Sequence, residues 1–60
     1  MNILVVDDED LIRDGIAAYL SARGHVVTTA RDGAEALGIV MNESDPFHCI
    51  LTDLKMPNMG

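Results

Sequence analysis

The order of hydrophobic and polar positions predicts short strands that alternate with amphipathic helices. Residues 3–6 are a continuous aliphatic run, which is typical of a strand buried on both faces. From Leu11 the apolar positions follow a helical period, and Gly24 after a basic residue marks the predicted end of that helix. The stripe expected to face the sheet consists of Ile12, Ile16, Tyr19 and Leu20.

The second half of the chain repeats this alternation. Residues 26–30 predict a second strand, whose two threonines suit an exposed position, and residues 47–52 predict a third. Between them Asp32 and Glu35 predict a capping box, in which Asp32 accepts from the amide of Glu35 and Glu35 reaches back to the amide of Asp32. The predicted inward face of the second helix consists of Ala36, Leu37, Val40 and Met41.

This order of elements predicts an α/β fold. Strands that are separated by crossover helices pair in parallel, and the crossovers are right-handed. The wholly apolar first strand suits the centre of the sheet, and the threonine-containing second strand suits an edge. We therefore expect the strand order 2-1-3 with one helix on each face.

Composition excludes several classes of protein. The chain has 60 residues and a net charge of −6, and its four basic residues are scattered, unlike those of a nucleic-acid surface. No apolar run approaches the ~20 residues of a membrane span, so we expect a soluble, cytoplasmic chain. His25 and His48 lack partners at zinc-ligand spacing, and Cys49, the single cysteine, is expected to be a small core residue.

Half of the acidic residues lie in one short segment that begins at the end of the first predicted strand. Five of the ten fall within eight positions, and in the order 2-1-3 the residues that close strands one and three become neighbours about 4.8 Å apart. Asp7 and Asp8 close the first strand and Asp53 closes the third. Converging carboxylates favour a hard cation, Mg²⁺ or Mn²⁺. The alternative is that acids such as Asp10 cap the first helix.

Three motifs, residues 5–9, 31–37 and 53–59, resemble the receiver domain of two-component response regulators in order and spacing. The resemblance implies a flavodoxin-like doubly wound parallel sheet, of which residues 1–60 would be the N-terminal half, β1-α1-β2-α2-β3. It also implies that the switch Ser or Thr and the phosphate-clamp Lys of the family are absent from this chain. A start at Met1 favours a response regulator over a hybrid kinase.

The resemblance also implies roles for particular residues. Asp53 matches the aspartate that accepts a phosphoryl group from a phosphohistidine of a histidine kinase or phosphotransfer protein. Asp8 matches the direct Mg²⁺ ligand, Asp7 matches its partner that acts through water, and Lys55 matches a position whose backbone carbonyl ligates the metal. The implied module is regulatory and has no independent turnover.

Two other functions stay open at this point. An Mg²⁺-dependent hydrolase of another doubly wound family is disfavoured, because residues 53–55 lack a second acid or a threonine two positions after the aspartate. A pseudo-receiver, acting as an interaction or dimerisation module, would use the same fold without phosphorylation. We also expect the edge of the third strand to pair with the rest of a receiver or with another chain.

Overall fold

The structure is a computed structural model and describes residues 1–52. It contains three strands and two helices in the predicted order. Their bounds are β1 Asn2–Val6, α1 Asp10–Ala22, β2 Val26–Ala30, α2 Gly33–Asn42 and β3 Cys49–Thr52. Within the described range neither helix is both long and apolar enough to cross a membrane.

The three strands form one parallel sheet in the order β2-β1-β3, which confirms the predicted topology. The four aliphatic residues at 3–6 are all buried, because β1 has a strand on each side and a helix over each face. On one face Leu4, Val6 and Ala30 form a core cluster that packs against Ala36 and Ile39 of α2. The centre of the sheet is therefore where burial is deepest.

The third strand is shorter than predicted, since it begins at Cys49 and not at residue 47. Phe47 instead packs its ring against the core cluster. His48 is tied to the start of β1, because its backbone N–H donates to the Asn2 carbonyl at 2.8 Å and its Nδ1 accepts from the Asn2 amide at 3.0 Å. Cys49, expected to be a small core residue, is only half-buried, and its strand pairs on one side only within residues 1–52.

The predicted inward stripe of α1 is wrong in two places. Ile12 and Tyr19 are exposed. The half-buried positions of the helix are Arg13, Ile16, Ala17 and Leu20, which lie at i, i+3, i+4 and i+7. The helix is thus rotated so that a charged residue occupies an inward position, where its aliphatic stem can pack.

Gly24 ends α1 as predicted, with φ of 91° in the left-handed region that favours glycine. The Gly24 N–H donates to the Ser21 carbonyl at 3.0 Å, and the His25 N–H donates to the Leu20 carbonyl at 3.2 Å. These two hydrogen bonds are those of a Schellman motif, which satisfies carbonyls of the last turn and turns the chain into β2.

The start of α2 confirms the half of the capping prediction that concerns the Asp32 side chain. The Asp32 carboxylate accepts from the Glu35 amide at 2.8 Å, as predicted. The Glu35 carboxylate accepts from the amide of Arg31 at 3.0 Å, and the expected bond to the amide of Asp32 stays a prediction. The helix still has both carboxylates near its N-terminus, where they stabilise it.

The inward face of α2 was also predicted incorrectly. Ala36 packs on the core as expected, but the second core contact comes from Ile39, while Leu37, Val40 and Met41 are exposed. The reason is that both helices lie over β1 and β2 and leave β3 uncovered among residues 1–52. Leu37 and Val40 therefore border an apolar groove of about 320 Å³ next to β3.

Replacement of the central core residue tests this packing. Leu4 is 0% exposed, whereas Leu11, which has the same side chain, is 90% exposed. Leu4→Ala should lower the free energy of unfolding of the full-length protein by about 2–5 kcal/mol, because it leaves a cavity in a filled core. Leu11→Ala should change it by less than about 0.5 kcal/mol. Urea denaturation measures both, and equal losses would contradict the described core.

Candidate functional site

The candidate site begins where β1 ends. Asp7 follows the strand on the same face as Val5 and is only 7% exposed. Its Oδ1 accepts from the Glu9 amide at 2.9 Å, and its own amide donates to the Ala30 carbonyl at 3.1 Å. The Asp7 carboxylate is therefore fixed by the turn that follows it, and its backbone is fixed by the end of β2.

Asp8 differs from its neighbour Asp7, because the chain bends at Asp8 after the end of β1. Its side chain is exposed, and no hydrogen bond or ion pair holds it in the part of the chain that the structure describes. The end of β1 thus presents one buried, fixed carboxylate in Asp7 and one accessible carboxylate in Asp8. Oxygen donors of this kind fit Mg²⁺, which keeps several waters and needs only one or two carboxylates from the protein.

The acidic residues that follow belong to the first turn of α1. Glu9 is the N-cap residue and makes no side-chain capping bond, so Asp10 is not the cap that the alternative interpretation expected. Asp10 is the first helical residue, where an acid favours the helix dipole. Its carboxylate pairs with Arg13 at 2.9 Å, which gives it a structural role.

Arg13 is the residue near this site that the sequence interpretation missed. Its Nη2 lies 2.9 Å from the Asp10 carboxylate, its Nε lies 3.2 Å from the Asp14 carboxylate, and its side chain is only 12% exposed. Burial lowers the pKa of the guanidinium, but the hydrogen bonds and charges of Asp14 and Asp10 outweigh it and raise the pKa. Its Nη1 is buried and has no acceptor among residues 1–52.

The end of β3 supplies the last described part of the site. Val6 pairs with Thr52 in the parallel register, so the described strands end side by side. Asp53 and Lys55, the predicted phosphoacceptor and carbonyl ligand, lie outside the described residues. Within residues 1–52 no group of three His, Cys, Asp or Glu side chains is placed to hold a metal ion.

The two histidines lie at the other end of the sheet. His48 Nδ1 accepts from the amide of Asn2, as described above, and His25 Nδ1 is 3.2 Å from the amine of Met1. Both imidazoles thus contact the chain at the start of β1, away from Asp7 and Asp8. Their position gives them a structural role at the amino edge of the sheet.

A pair of variants tests the role of the buried carboxylate. Asp7→Ala removes the acceptor for the Glu9 amide, whereas Asp7→Asn removes only the charge and keeps a side-chain oxygen. We expect Asp7→Ala to be less stable than Asp7→Asn by about 1 kcal/mol, because a partly buried donor would lose its partner. Thermal or urea unfolding in the absence of divalent cations measures the difference. Identical stabilities would show that this hydrogen bond does not hold the turn.

The comparisons with known proteins agree on one family. The family model described as response regulator receiver domain matches residues 3–60. The response regulator RR06 of Streptococcus pneumoniae is 49% identical over 57 residues, which cover 95% of this chain and 25% of that protein. The transcriptional regulatory protein SrrA of Staphylococcus aureus is 40% identical over 57 residues, which cover 95% of this chain and 23% of that protein.

A sensor kinase also contains a similar segment. The CAI-1 autoinducer sensor kinase/phosphatase CqsS of Vibrio cholerae is 43% identical over 58 residues, which cover 97% of this chain and 8% of that protein. The chain therefore spans a quarter or less of the length of these relatives. No solved structure matches it significantly. With the family model matched over almost its whole length, the chain belongs to the response regulator receiver domain family.

Proposed function

We propose that residues 1–60 are the N-terminal half of a receiver domain and that Asp53 accepts a phosphoryl group from a histidine kinase or phosphotransfer protein in a two-component phosphorelay. The observation that carries this proposal is the pair of unlike carboxylates, Asp7 and Asp8, at the end of the central strand. Thr52 pairs beside Val6 in that sheet, and Asp53 is the next residue in the chain. Family membership supports the same role.

In this proposal each residue of the site has a separate role. Asp8, whose carboxylate is accessible, is the direct cation ligand, and the fixed Asp7 acts through a water. Asp53 and the backbone carbonyl of Lys55 complete the protein ligands in this proposal. The chemistry supplied by a bound Mg²⁺ ion, or Mn²⁺, is neutralisation of negative charge on the phosphoryl oxygens.

The transfer itself is a substitution at phosphorus. A carboxylate oxygen of Asp53 attacks in line, so that an O–P bond forms while the P–N bond to the kinase imidazole breaks and its electron pair returns to the imidazole. The product is an acyl phosphate on the protein, which serves as a signal for a downstream output. The module is regulatory, acts in the cytoplasm and does not turn over a substrate independently.

The alternative is a pseudo-receiver that works as an interaction or dimerisation module. One observation favours it: Ile50 and Leu51 on β3 are exposed, and β3 has a strand partner on one side only within residues 1–52. Such an edge can pair with the rest of a receiver or with another chain. Phosphorylation of the full-length protein separates the two functions, since the pseudo-receiver would not be modified.

Labelling with a small phosphodonor tests the phosphoacceptor directly. In the full-length protein with Mg²⁺, we expect Asp53→Asn to abolish the acid- and base-labile phosphoryl label, because an amide cannot form the acyl phosphate. Asp45→Asn is the matched control, since Asp45 is exposed in the connection before β3, and it should keep the label at the parent level. Label at the parent level on Asp53→Asn would identify a different acceptor.

Cation titration tests the two described carboxylates. We expect Asp8→Ala to lose measurable Mg²⁺ binding, because it removes the direct ligand. Asp7→Asn should weaken binding by about 10–100-fold, as removal of an outer-shell partner does. Isothermal titration or competition with Mn²⁺ measures both affinities. Binding by Asp8→Ala that equals the parent would contradict the ligand assignment.

A further inference from the structure

His48 joins the start of β3 to the start of β1 through hydrogen bonds to Asn2. The backbone N–H of His48 donates to the Asn2 carbonyl at 2.8 Å, and the Nδ1 of its imidazole accepts from the Asn2 amide at 3.0 Å. The side chain of Asn2 adds a third bond, since its Nδ2 donates to the Pro46 carbonyl at 3.3 Å. These three bonds, the amino-end contact, lie directly before the paired residues Ile3 and Cys49.

One bond of the amino-end contact depends on the protonation state of the imidazole. A backbone N–H can only donate, so the Nδ1 that accepts from Asn2 carries a lone pair and no proton. The neutral imidazole meets this requirement with its proton on Nε2, whereas the imidazolium has a proton on both nitrogens. Protonation of His48 therefore removes the acceptor and sets two N–H donors against each other. The other two bonds do not involve the ring.

The surroundings of His48 allow this proton to bind. The side chain is exposed, so a proton reaches the ring without opening the fold. The carboxylates of Glu43 and Asp45 line the same cavity and favour the imidazolium, but neither is ion-paired with it within residues 1–52. Their attraction acts through solvent, where it is weak, whereas the bond to Asn2 is a direct contact. The described lining residues of β1 and β2 are uncharged: Asn2, Val26 and Thr28.

His25 occupies the matching position directly before β2 and provides a comparison within the chain. Its Nδ1 lies 3.2 Å from the amine of Met1, which is itself a titratable group and not a peptide N–H of β1. The start of β2 is also held by the backbone, because the Val26 N–H donates to the Met1 carbonyl at 2.9 Å. The ring of His25 thus does not bond a peptide N–H of β1, as the ring of His48 does.

We infer that His48 makes the attachment of β3 to β1 sensitive to pH, because its imidazole holds the amino end of β3 only while it is unprotonated. Imidazole side chains exchange their proton between about pH 5 and 8. The unfolded chain takes up this proton without losing a hydrogen bond, so acid favours the unfolded chain. The stabilisation from the Nδ1 bond is full at the upper end of this range and is lost as the pH falls. The strand affected is the one that leads to Asp53.

Urea unfolding of the full-length protein at about pH 8 and about pH 5, the two ends of the imidazole range, tests this inference. His48→Asn keeps a side-chain oxygen that can accept from the Asn2 amide, and this acceptor does not titrate. As the pH is lowered, we expect the unfolding equilibrium constant to rise more in the parent than in His48→Asn, by about two- to tenfold, the effect of one net hydrogen bond. Equal pH dependence in the two proteins would overturn the inference.

His25→Asn is the matched control, since it makes the same substitution directly before β2. It should keep the pH dependence of the parent. If it reduced that dependence as much as His48→Asn, the loss of any imidazole would be enough and the specific role of His48 would be overturned. Should His48→Asn not fold, His48→Asp takes its place, because a carboxylate accepts in the same way and is ionised through most of this pH range.

Nitrogen-15 NMR of the imidazoles in the full-length protein tests the bond itself. At about pH 8 we expect His48 to carry its proton on Nε2, as acceptance at Nδ1 requires. A proton on Nδ1 would contradict the amino-end contact. Neither experiment uses a phosphodonor or a divalent cation, so a negative result here leaves the proposed phosphoacceptor function standing, and a failure of that function leaves this result unchanged.

Discussion

The fold depends on the burial of one strand. Residues 3–6 are buried on both faces and paired on both edges, so β1 provides most of the apolar core that a chain of this size contains. Both helices pack over β1 and β2, and the ends of all three strands are placed relative to β1. Because a parallel strand in this position must be apolar along its length, polar side chains lie beyond its ends, and ligands of open α/β sheets bind at the carboxyl end.

At that end, five acidic residues lie close together in the sequence, and their carboxylates have different partners. The buried Asp7 is satisfied by a backbone amide, Asp10 and Asp14 are paired with Arg13, and Asp8 and Glu9 remain accessible. Like charges so close in sequence would otherwise repel one another. Within residues 7–14 the carboxylates without an ion pair are therefore those nearest the end of β1, where a divalent cation is proposed to bind.

The sequence was sufficient for the strands and their order, because a continuous aliphatic run and a pair of threonines distinguish a central strand from an edge. It was insufficient for the helix faces. A prediction from the hydrophobic stripe places every charged residue in solvent. It therefore missed the inward-facing Arg13, whose burial requires the carboxylates of Asp10 and Asp14. It also placed Leu37 inward, although no helix of the described range covers β3. The unequal burial of Asp7 and Asp8 arises where the strand gives way to a bend, and Asp53 and Lys55 remain predictions.

The register of the sheet has a consequence for the order in which the chain folds. The contact between Met1 and His25, beside the β1–β2 pairing, closes a separation of 24 positions, whereas the contact between Asn2 and His48, beside β1–β3, closes 46. Each doubling of a loop adds about 0.6 kcal/mol of closure entropy. The β1-α1-β2 unit therefore closes at the lower entropic cost, which favours pairing of β1 with β2 before β3 is added. The carboxyl edge between β1 and β3, beside Asp7 and Asp8, then depends on the more costly of the two closures.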